Sequence, residues 1–328
     1  MKEIIAVTGA TGHVGANLIR MLAGRGFHVK ALVREPSETL KGFQPELIYG
    51  DLSNLTALKE LCRGSDVVIH TAALISIGDQ PKKAVFETNV TGTHNLISAC
   101  KQMGVRRLIH FSSVDALVTD CCAVFVDEST ELDVVSALIY KRTKALGERL
   151  AMEAASPGFE VIILSPAAIM GPFDFKPSLI GKMLIRMFNG RLPVLVPGGY
   201  HWVDVRDICD AAIRAIHEGV SGEKYLLTGH WADLVEIAQM IQPLTKKKVV
   251  RSVVPFWMAY LGIPFIKAWS VLIGGHPLYT HDSLTILQKG YRNLSSTKAI
   301  ETLGFTPRPL SETLTDTLAW FKQNGQLS

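Results

Sequence analysis

The stretch Thr8-Gly9-Ala10-Thr11-Gly12-His13-Val14-Gly15 decides the fold, because it stands between a predicted strand and a predicted helix. Before it, Ile4–Thr8 is a short apolar run that is typical of a strand buried on both faces. After it, apolar residues recur at helical spacing over Ala16–Gly24. The three glycines permit a tight turn, close approach of the backbone to a pyrophosphate and close helix–strand packing. Free N–H groups at the helix start would attract the anion. The stretch therefore predicts a dinucleotide-binding loop, formed by Gly9, Thr11, Gly12, His13, Val14 and Gly15.

Strands and helices alternate along the first half of the chain. Further strands are predicted at His28–Val33, Leu47–Gly50, Val67–His70, Leu108–Phe111 and Val161–Leu164, and helices at Thr56–Cys62, Val85–Met103 and Tyr140–Ala155. Such alternation predicts an α/β fold with a doubly wound parallel sheet and right-handed crossovers.

After Pro166 the alternation stops, and one further unit returns to the sheet. This unit is a predicted helix at Val205–Gly219 followed by a predicted strand at Lys224–Thr228. We therefore expect a nucleotide-binding domain from residues 1–168 and 204–229. A smaller, mostly α-helical substrate-binding domain is expected from residues 169–203 and 230–328.

Composition excludes several classes of protein. The chain has 328 residues, of which 48% are apolar and 20% charged, as in an ordinary globular protein. A net charge of +4 is too small to indicate nucleic-acid binding. The five cysteines, at positions 62, 100, 121, 122 and 209, show no metal-binding spacing, and we expect no metal site and a reducing, cytoplasmic location.

Two positions near the second and third strands bear on the choice of nucleotide. NAD-binding folds usually place an acidic residue at the end of the second strand, where it binds the ribose 2′-hydroxyl. This chain has Val33 there, followed by Arg34, whose guanidinium could pair with a 2′-phosphate. After the third strand, Asp51 and Leu52 are placed to contact adenine. The pattern predicts NADP as the cofactor and leaves NAD possible, with a solvent-exposed Arg34 and a turn-capping Asp51 as the structural alternatives.

The segment Tyr140-Lys141-Arg142-Thr143-Lys144 carries a candidate reactive pair. Tyr140 and Lys144 stand at i and i+4, on one face of a helix. A free tyrosine has a pKa of about 10, and a neighbouring ammonium favours the phenolate and lowers that pKa. The spacing therefore predicts an acid–base tyrosine with a lysine that also contacts the cofactor.

The motifs together resemble the extended short-chain dehydrogenase/reductase family, over Lys2 to about Thr228. They are TGATGHVG at 8–15, GDL at 50–52, HTAA at 70–73, ETNVTG at 87–92, FSS at 111–113 and YKRTK at 140–144. The resemblance implies a Rossmann domain, NAD(P), and an active site of Ser113, Tyr140 and Lys144 with Asn89 as an accessory that holds a proton-relay water. It also implies cofactor contacts from Thr71, Ala72, Ala73 and Pro166. Ser112 is the weaker alternative to Ser113.

The second half distinguishes branches of that family. Nucleotide-sugar epimerases carry an arginine for the sugar diphosphate where this chain has Tyr200, and dehydratases carry an Asp–Glu pair where it has Val114-Asp115. The remaining features resemble the dihydroflavonol reductase and 3β-hydroxysteroid dehydrogenase branch. We expect a reductase that interconverts a ketone or aldehyde and an alcohol on an apolar small molecule. A nucleotide-sugar epimerase or dehydratase, or a redox-sensing binding protein, are the alternatives.

Residues 255–274 are mostly apolar, although Pro264 and Lys267 argue against a membrane span. Three interpretations remain open: part of the second domain's core, a lid over an apolar substrate pocket, or a helix on a membrane surface. The third includes Lys246-Lys247-Lys248 upstream, so that weak membrane-surface association would involve residues 246–274. A homodimer is a further expectation, and nucleic acid is not expected as a partner.

Overall fold

The computed structural model describes residues 2–77, 80–118, 125–192, 194–272, 279–288 and 290–327, with the backbone alone for 265–272. Cys121, Cys122 and the last two residues of the apolar segment 255–274 lie outside the described residues.

The strands and helices alternate through residue 166, as predicted, and the regular alternation ends there. The strands are β1 (Ile4–Thr8), β2 (His28–Val33), β3 (Glu46–Tyr49), β4 (Val67–His70), β5 (Arg107–Phe111), β6 (Glu160–Pro166), β7 (Ala168–Met170), β8 (Val194–Leu195), β9 (Gly199–Asp204), β10 (Glu223–Leu227), β11 (His230–Asp233) and β12 (Ser252–Val253). The helices are α1 (His13–Gly24), α2 (Leu55–Cys62), α3 (Lys82–Phe86), α4 (Gly92–Met103), α5 (Ile139–Glu153), α6 (Leu179–Phe188), α7 (Val205–Arg214), α8 (Leu234–Ile241), α9 (Phe256–Leu272), α10 (His281–Gln288), α11 (Thr297–Leu303) and α12 (Leu310–Gln323).

Seven strands form one parallel sheet in the order β10-β6-β5-β4-β1-β2-β3. The chain starts at β1 within the sheet, adds β2 and β3 on one side, then crosses over and adds β4, β5, β6 and β10 on the other. The strand order therefore reverses between β1 and β4, and ligands of such sheets bind at the carboxyl ends of the strands at this point.

Both faces of the sheet are covered by helices, which confirms the predicted doubly wound α/β fold. Along β1, Ile5 and Val7 belong to one buried core and Ala6 to the other, because successive side chains point to opposite faces. Helices α1, α7 and α11 pack on the first face, and α2, α4 and α5 on the second.

The smaller part of the molecule is built around a separate core. Strands β7, β9 and β11 form a second sheet, β8 pairs with β12, and helices α6, α8, α9, α10 and α12 pack around them. Helix α11, which lies in the predicted second domain, packs instead on the main sheet through Ala299 and Leu303. The exact division into two domains stays a prediction.

The helix predicted at Val205–Gly219 ends at Arg214 in the structure, and another predicted helix is interrupted. The sequence predicts a continuous helix over Val85–Met103, whereas α3 and α4 are separated by a π-helical turn at Glu87–Thr91. The turn carries Asn89, which is buried and bonded to two other segments of the chain. Such turns occur mostly as single insertions, frequently at functional sites.

Candidate active site

The glycine loop between β1 and α1 leaves no room for side chains at two of its positions. Gly9 has a φ of +71°, and a Cβ there would lie 2.6 Å from the backbone nitrogen of Ala72. A Cβ on Gly15 would lie 2.2 Å from the carbonyl oxygen of Gly9. The loop is therefore packed against both its own helix and the end of β4.

The start of α1 fits a bound phosphate. Its N-cap is Gly12, which offers no side chain to bind the first N–H groups, and no acidic residue stands in the first turn. These N–H groups have no partner within the helix and carry the positive end of its dipole. The residues present therefore fit the pyrophosphate of a dinucleotide, as the sequence predicts.

The end of β4 completes this cradle. The Thr71 hydroxyl donates a hydrogen bond to the carbonyl of Thr8 at 2.7 Å, which ties β4 to β1 beyond the last strand residues. Ala72 contacts the loop at Gly9, and Ala73 lines the adjoining cavity. The structure thus brings these three residues together with the glycine loop, while Thr11 is half-buried within the loop.

Arg34, Asp51 and Leu52 do not line that cavity but stand at the ends of β2 and β3. Arg34 is exposed, and its positive charge is one of the causes that lower the pKa of Asp51, after the hydrogen bonds from Ser53. Asp51 caps a turn, since its Oδ1 accepts from the Ser53 amide at 2.8 Å and from the Ser53 hydroxyl at 2.6 Å. Leu52 is buried against Gly92.

Tyr140, Lys144 and Ser113 meet at one place, at the carboxyl end of β5. Tyr140 and Lys144 lie one turn apart on α5, and the phenol of Tyr140 shares a hydrogen bond with the hydroxyl of Ser113. The Lys144 ammonium donates to the carbonyl oxygen of Phe111 at 2.5 Å. These three side chains line the same cavity, whereas Asn89, the fourth predicted catalytic residue, does not.

The two serines that follow β5 have different surroundings. The hydroxyl of Ser112 donates to the carboxylate of Glu148, which is fully buried. The hydroxyl of Ser113 accepts from the Asp115 amide at 3.1 Å and is shared with Tyr140. The structure therefore favours Ser113 over Ser112 as the serine that can meet a ligand.

The pKa values of the reactive pair differ from the simple expectation. Burial raises the pKa of Tyr140 well above its ordinary value, and the negative charge of Asp115 raises it further, while the Ser113 hydrogen bond opposes them. Burial lowers the pKa of Lys144 to about 8, against the opposing effect of the Glu148 carboxylate. The expected lowering of the pKa of Tyr140 is thus wrong for this structure, because the net shift is upward and burial is its largest cause.

Asn89 joins three segments around the site. Its side-chain oxygen accepts from the Leu74 amide at 2.8 Å, and its nitrogen donates to the Leu74 carbonyl and to the Thr143 hydroxyl, both at 3.1 Å. It therefore fixes the loop after β4 against α5, one residue from Lys144. A water-holding role for Asn89 stays a prediction.

Two acidic residues of the site were not among the predicted site residues. Asp115 lines the cavity, and its enclosure raises the pKa of its carboxyl against the opposing charge of Lys141. Glu148 stands four residues after Lys144 on α5, and Lys224 of β10 lies 2.8 Å from its Oε1. The continued i, i+4 spacing from Tyr140 was the signal that could have found Glu148.

The cavity has a volume of about 430 Å³ and joins the cofactor cradle to the smaller part of the molecule. One end is lined by the glycine loop, Ser113, Tyr140, Lys144 and Pro166. The other end is mostly aliphatic and aromatic. Among the residues that the structure describes, no group of three His, Cys, Asp or Glu side chains could hold a metal ion.

The sequence model of the NAD dependent epimerase/dehydratase family matches residues 5–228, which include the glycine loop and the Tyr140–Lys144 pair. The chain belongs to this family.

Several known proteins are similar to this epimerase/dehydratase chain over nearly its whole length. Sterol demethylase protein B of Methylococcus capsulatus is 34% identical over 326 residues, which cover 98% of this chain and 99% of that protein. A putative dihydroflavonol 4-reductase of Synechocystis sp. is 30% identical over 338 residues, which cover 99% and 96%. The solved structure of gox2253 superimposes with a TM-score of 0.83 at 31% identity over the full length of both chains.

Membership in the epimerase/dehydratase family confirms the predicted resemblance to extended short-chain dehydrogenases/reductases. It also makes the chain an NAD(P)-dependent enzyme. Within the described part of the chain, no helix combines the length and the apolar character needed to cross a membrane.

Proposed function

We propose that the enzyme is an NADP(H)-dependent oxidoreductase that interconverts a ketone or aldehyde and an alcohol on an apolar small molecule. The observation that carries this proposal is the apolar wall opposite Ser113 and Tyr140. It consists of Ile75, Ile77, Ile180, Met183, Leu192, Tyr200, Leu234, Tyr279, Ile286, Leu287 and Leu294. Apolar side chains of this kind favour hydrocarbon, and the described lining contains two lysines, Lys144 and Lys176, but no arginine that could bind a sugar diphosphate through two hydrogen bonds.

Each reactive side chain has a proposed role. A bound nicotinamide supplies or accepts the hydride. Ser113 donates a hydrogen bond to the substrate oxygen, and Tyr140 gives that oxygen its proton. Since the pKa of Tyr140 is raised, the phenol keeps its proton at neutral pH, which is the form that carbonyl reduction requires. Lys144 contributes positive charge beside the phenol and the cofactor ribose, and Asn89 holds α5 in position.

The names of several relatives agree with this proposal. One is a putative dihydroflavonol 4-reductase, and another is a farnesyl-dihydroquinoline-oxide ketoreductase of Stigmatella aurantiaca, 34% identical over 68% of this chain. A 3 beta-hydroxysteroid dehydrogenase/isomerase of Mycobacterium tuberculosis is 30% identical over 58% of the chain. These names share carbonyl or alcohol chemistry on largely apolar compounds.

The preference for NADP rests on the end of β2. Val33 is buried and presents no carboxylate there, so nothing at that position repels a 2′-phosphate. Arg34 is exposed rather than packed in the core. Its guanidinium lies close enough to Asp51 to lower the pKa of that carboxyl. Phosphate recognition by arginine is strong because its planar fork can form two hydrogen bonds.

A cofactor-oxidation screen tests the function. The full chain is mixed with NADPH and with members of a panel of steroid ketones, flavanonols, small ketones and nucleotide sugars. We expect NADPH oxidation with at least one bulky apolar ketone, and its loss in the Tyr140→Phe variant. Turnover of nucleotide sugars with NAD that stays bound through purification would contradict the proposal and support the epimerase or dehydratase alternative.

A cytoplasmic location belongs to the same proposal. It is supported by the cysteine pattern, since Cys62 and Cys100 are buried free thiols with their Sγ atoms 3.7 Å apart. Free thiols persist in reducing compartments. Fractionation of cells that express the chain tests it, and recovery outside the cytoplasm would contradict it.

A further inference from the structure

In the part of helix α9 whose side chains the structure describes, residues 256–264, one apolar face is packed and the opposite one is exposed. Phe256, Ala259, Tyr260 and Ile263 recur at helical spacing and pack against the core of the smaller part of the molecule. The opposite face presents large apolar side chains to solvent: Trp257 is 63% exposed, Leu261 66% and Met258 45%. The structure thus supports both the core and the surface interpretations of this segment, each for a different face.

An exposed apolar helix face of this kind needs a partner. Helices that are apolar all round are ordinarily buried in protein or lie in membrane. Exposed apolar side chains that occur singly are normal, but a contiguous group marks an interaction surface. Tryptophan, methionine and leucine on adjacent turns form such a group.

The charge of the sequence segment that contains α9 indicates what that partner is. Residues 237–281 contain five lysines and arginines and no aspartate or glutamate: Lys246, Lys247, Lys248, Arg251 and Lys267. The whole chain has a net charge of +4, so the rest of it carries 4 − 5 = −1. The positive charge of the molecule is therefore concentrated in the segment that carries the exposed apolar face. Lys246, Lys248 and Arg251 are themselves exposed.

We propose that the outer face of α9 and the basic segment before it dock on the surface of an anionic lipid membrane. An apolar face with tryptophan and a basic flank is the combination by which amphipathic helices bind such surfaces. Docking is peripheral, with the apolar side chains inserted among the headgroups and α9 parallel to the surface.

A second copy of the chain fits this surface less well. Symmetric dimers usually pair one patch with the same patch on the partner. Pairing of the outer faces of α9 would bring the two basic segments towards each other, and like charges that face each other are unfavourable. An anionic surface gains from the same charges.

The surface lies next to the substrate cavity. Tyr279, Ser283, Ile286 and Leu287, just before and within α10, line the cavity. On the α9 side, the Tyr260 hydroxyl lies 3.2 Å from the Thr285 hydroxyl and donates to Gln288 at 3.3 Å. Helix α10 therefore separates α9 from the cavity. If the substrate is apolar, as the proposed function states, it concentrates in the bilayer against which this side of the enzyme rests.

Vesicle flotation with the full chain tests the proposal without any catalytic readout. One set of vesicles contains phosphatidylcholine alone, and the other contains phosphatidylcholine with phosphatidylglycerol. We expect flotation with the anionic vesicles, at least about tenfold weaker binding to the neutral ones, and loss of binding as salt is raised from low to high.

Two pairs of variants separate the apolar and basic contributions. Trp257→Ser with Leu261→Ser should abolish flotation, and Lys246→Glu with Lys248→Glu should do the same. Matched controls change exposed side chains elsewhere: Phe125→Ser with Val135→Ser, and Lys41→Glu with Lys83→Glu. The controls should float like the unchanged protein, and thermal unfolding verifies that every variant is folded.

Three results would overturn the proposal. They are the absence of flotation, flotation that is equal for neutral and anionic vesicles, and concentration-dependent dimerisation that Trp257→Ser abolishes while vesicles do not bind. Because none of these measurements involves turnover, a failed ketone screen would leave the docking result standing, and a failed flotation would leave the reductase standing.

Discussion

The phenol of Tyr140 is kept protonated by its burial and, to a smaller extent, by the negative charge of Asp115, so removal of the phenol is an informative change. In Tyr140→Phe the ring still packs and only the transferable proton is lost. Since positioned proton transfer typically contributes about 10²–10⁴-fold to a rate, we expect turnover to fall by at least about 100-fold. The dissociation constant for NADPH should stay nearly unchanged, as fluorescence titration can measure. Tyr49→Phe, an exposed tyrosine of β3, is the control. A variant that keeps more than about a tenth of the rate would exclude Tyr140 as the acid.

The Glu148 carboxylate controls the charge of Lys144. It raises the pKa of Lys144 against the lowering by burial, so Glu148→Gln should move that pKa below its value of about 8. If turnover requires the charged ammonium, activity falls as pH rises through this pKa. The falling limb of the pH–rate profile should therefore shift to lower pH, by about 1 unit or more. Glu153→Gln, at the exposed end of the same helix, should leave the limb in place. An unmoved limb in Glu148→Gln would show that Lys144 is not tuned in this way.

Arg34 is expected to set the cofactor preference. A charge-assisted hydrogen bond is worth roughly 1.5–3 kcal/mol, which corresponds to about tenfold to a hundredfold in affinity. Arg34→Ala should weaken NADPH binding by that factor and change NADH binding little. Arg149→Ala, an exposed arginine of α5, is the control. Equal affinities of the unchanged enzyme for NADPH and NADH, measured by titration, would remove the basis of the NADP proposal.

At the scale of elements, helix α1 contains two glycines whose substitution by alanine is expected to have opposite effects on stability. A Cβ at Gly15 would meet the Gly9 carbonyl, whereas a Cβ at Gly24 would meet nothing within 4 Å. Gly15→Ala must displace the loop from β4, so we expect cofactor binding to be lost and stability to fall by about 2 kcal/mol or more. Gly24→Ala should raise the free energy of unfolding by up to about 1 kcal/mol, because alanine favours helix. Urea unfolding and NADPH titration check both. Normal cofactor binding by Gly15→Ala would mean that close packing at this position is dispensable.

Strands that are buried on both faces could be predicted from the sequence. Elements whose shape depends on contacts with distant residues could not. Strands β1, β2 and β4 begin and end where the apolar runs predict, because both faces of the sheet are covered. The π turn around Asn89 depends on bonds to Leu74 and Thr143, which are far from it in the chain. No local pattern encodes such bonds.

The same difference holds for the candidate site. The glycine loop and the Tyr140–Lys144 pair are local, so the sequence could predict that they meet one cavity. The pKa values depend first on burial, and then on Asp115, which comes from another segment, and on Glu148, which lies one turn after Lys144 on α5. Their effects could only be assigned once distances and burial were known.

For the whole molecule, Arg308 joins the α12 end of the chain to the helix after β9. Its guanidinium donates to Asp207 at 2.6 and 2.9 Å, and its amide donates to the same carboxylate at 2.8 Å. Asp207 is buried, so Arg308→Ala would leave its charge short of partners. We expect a loss of about 2 kcal/mol in the free energy of unfolding, less than for a fully buried pair because Arg308 is partly exposed.

Chemical unfolding measures this loss, with Arg149→Ala as the control, since its pair with Glu153 spans 3.9 Å between exposed groups. Exposed pairs of this kind contribute less than about 1 kcal/mol. Equal effects of the two substitutions would show that the Arg308 contact adds nothing beyond an ordinary surface pair.

The ion pair between Lys224 and Glu148 has a consequence for how the enzyme is made. Lys224 lies on β10, the last strand to join the main sheet, and β10 pairs with β6, some sixty positions earlier in the chain. During synthesis, all the predicted catalytic residues have left the ribosome by the time α7 emerges. Glu148 then has Ser112 and Lys144 beside it but lacks the Lys224 ammonium, and a buried carboxylate that lacks one of its charged partners is destabilised by up to several kcal/mol. Contacts between distant residues also form slowly. The catalytic site is thus complete only after β10 has joined the sheet. A nascent chain that ends before residue 224 contains all the predicted catalytic residues but lacks the Lys224 ammonium that pairs with Glu148.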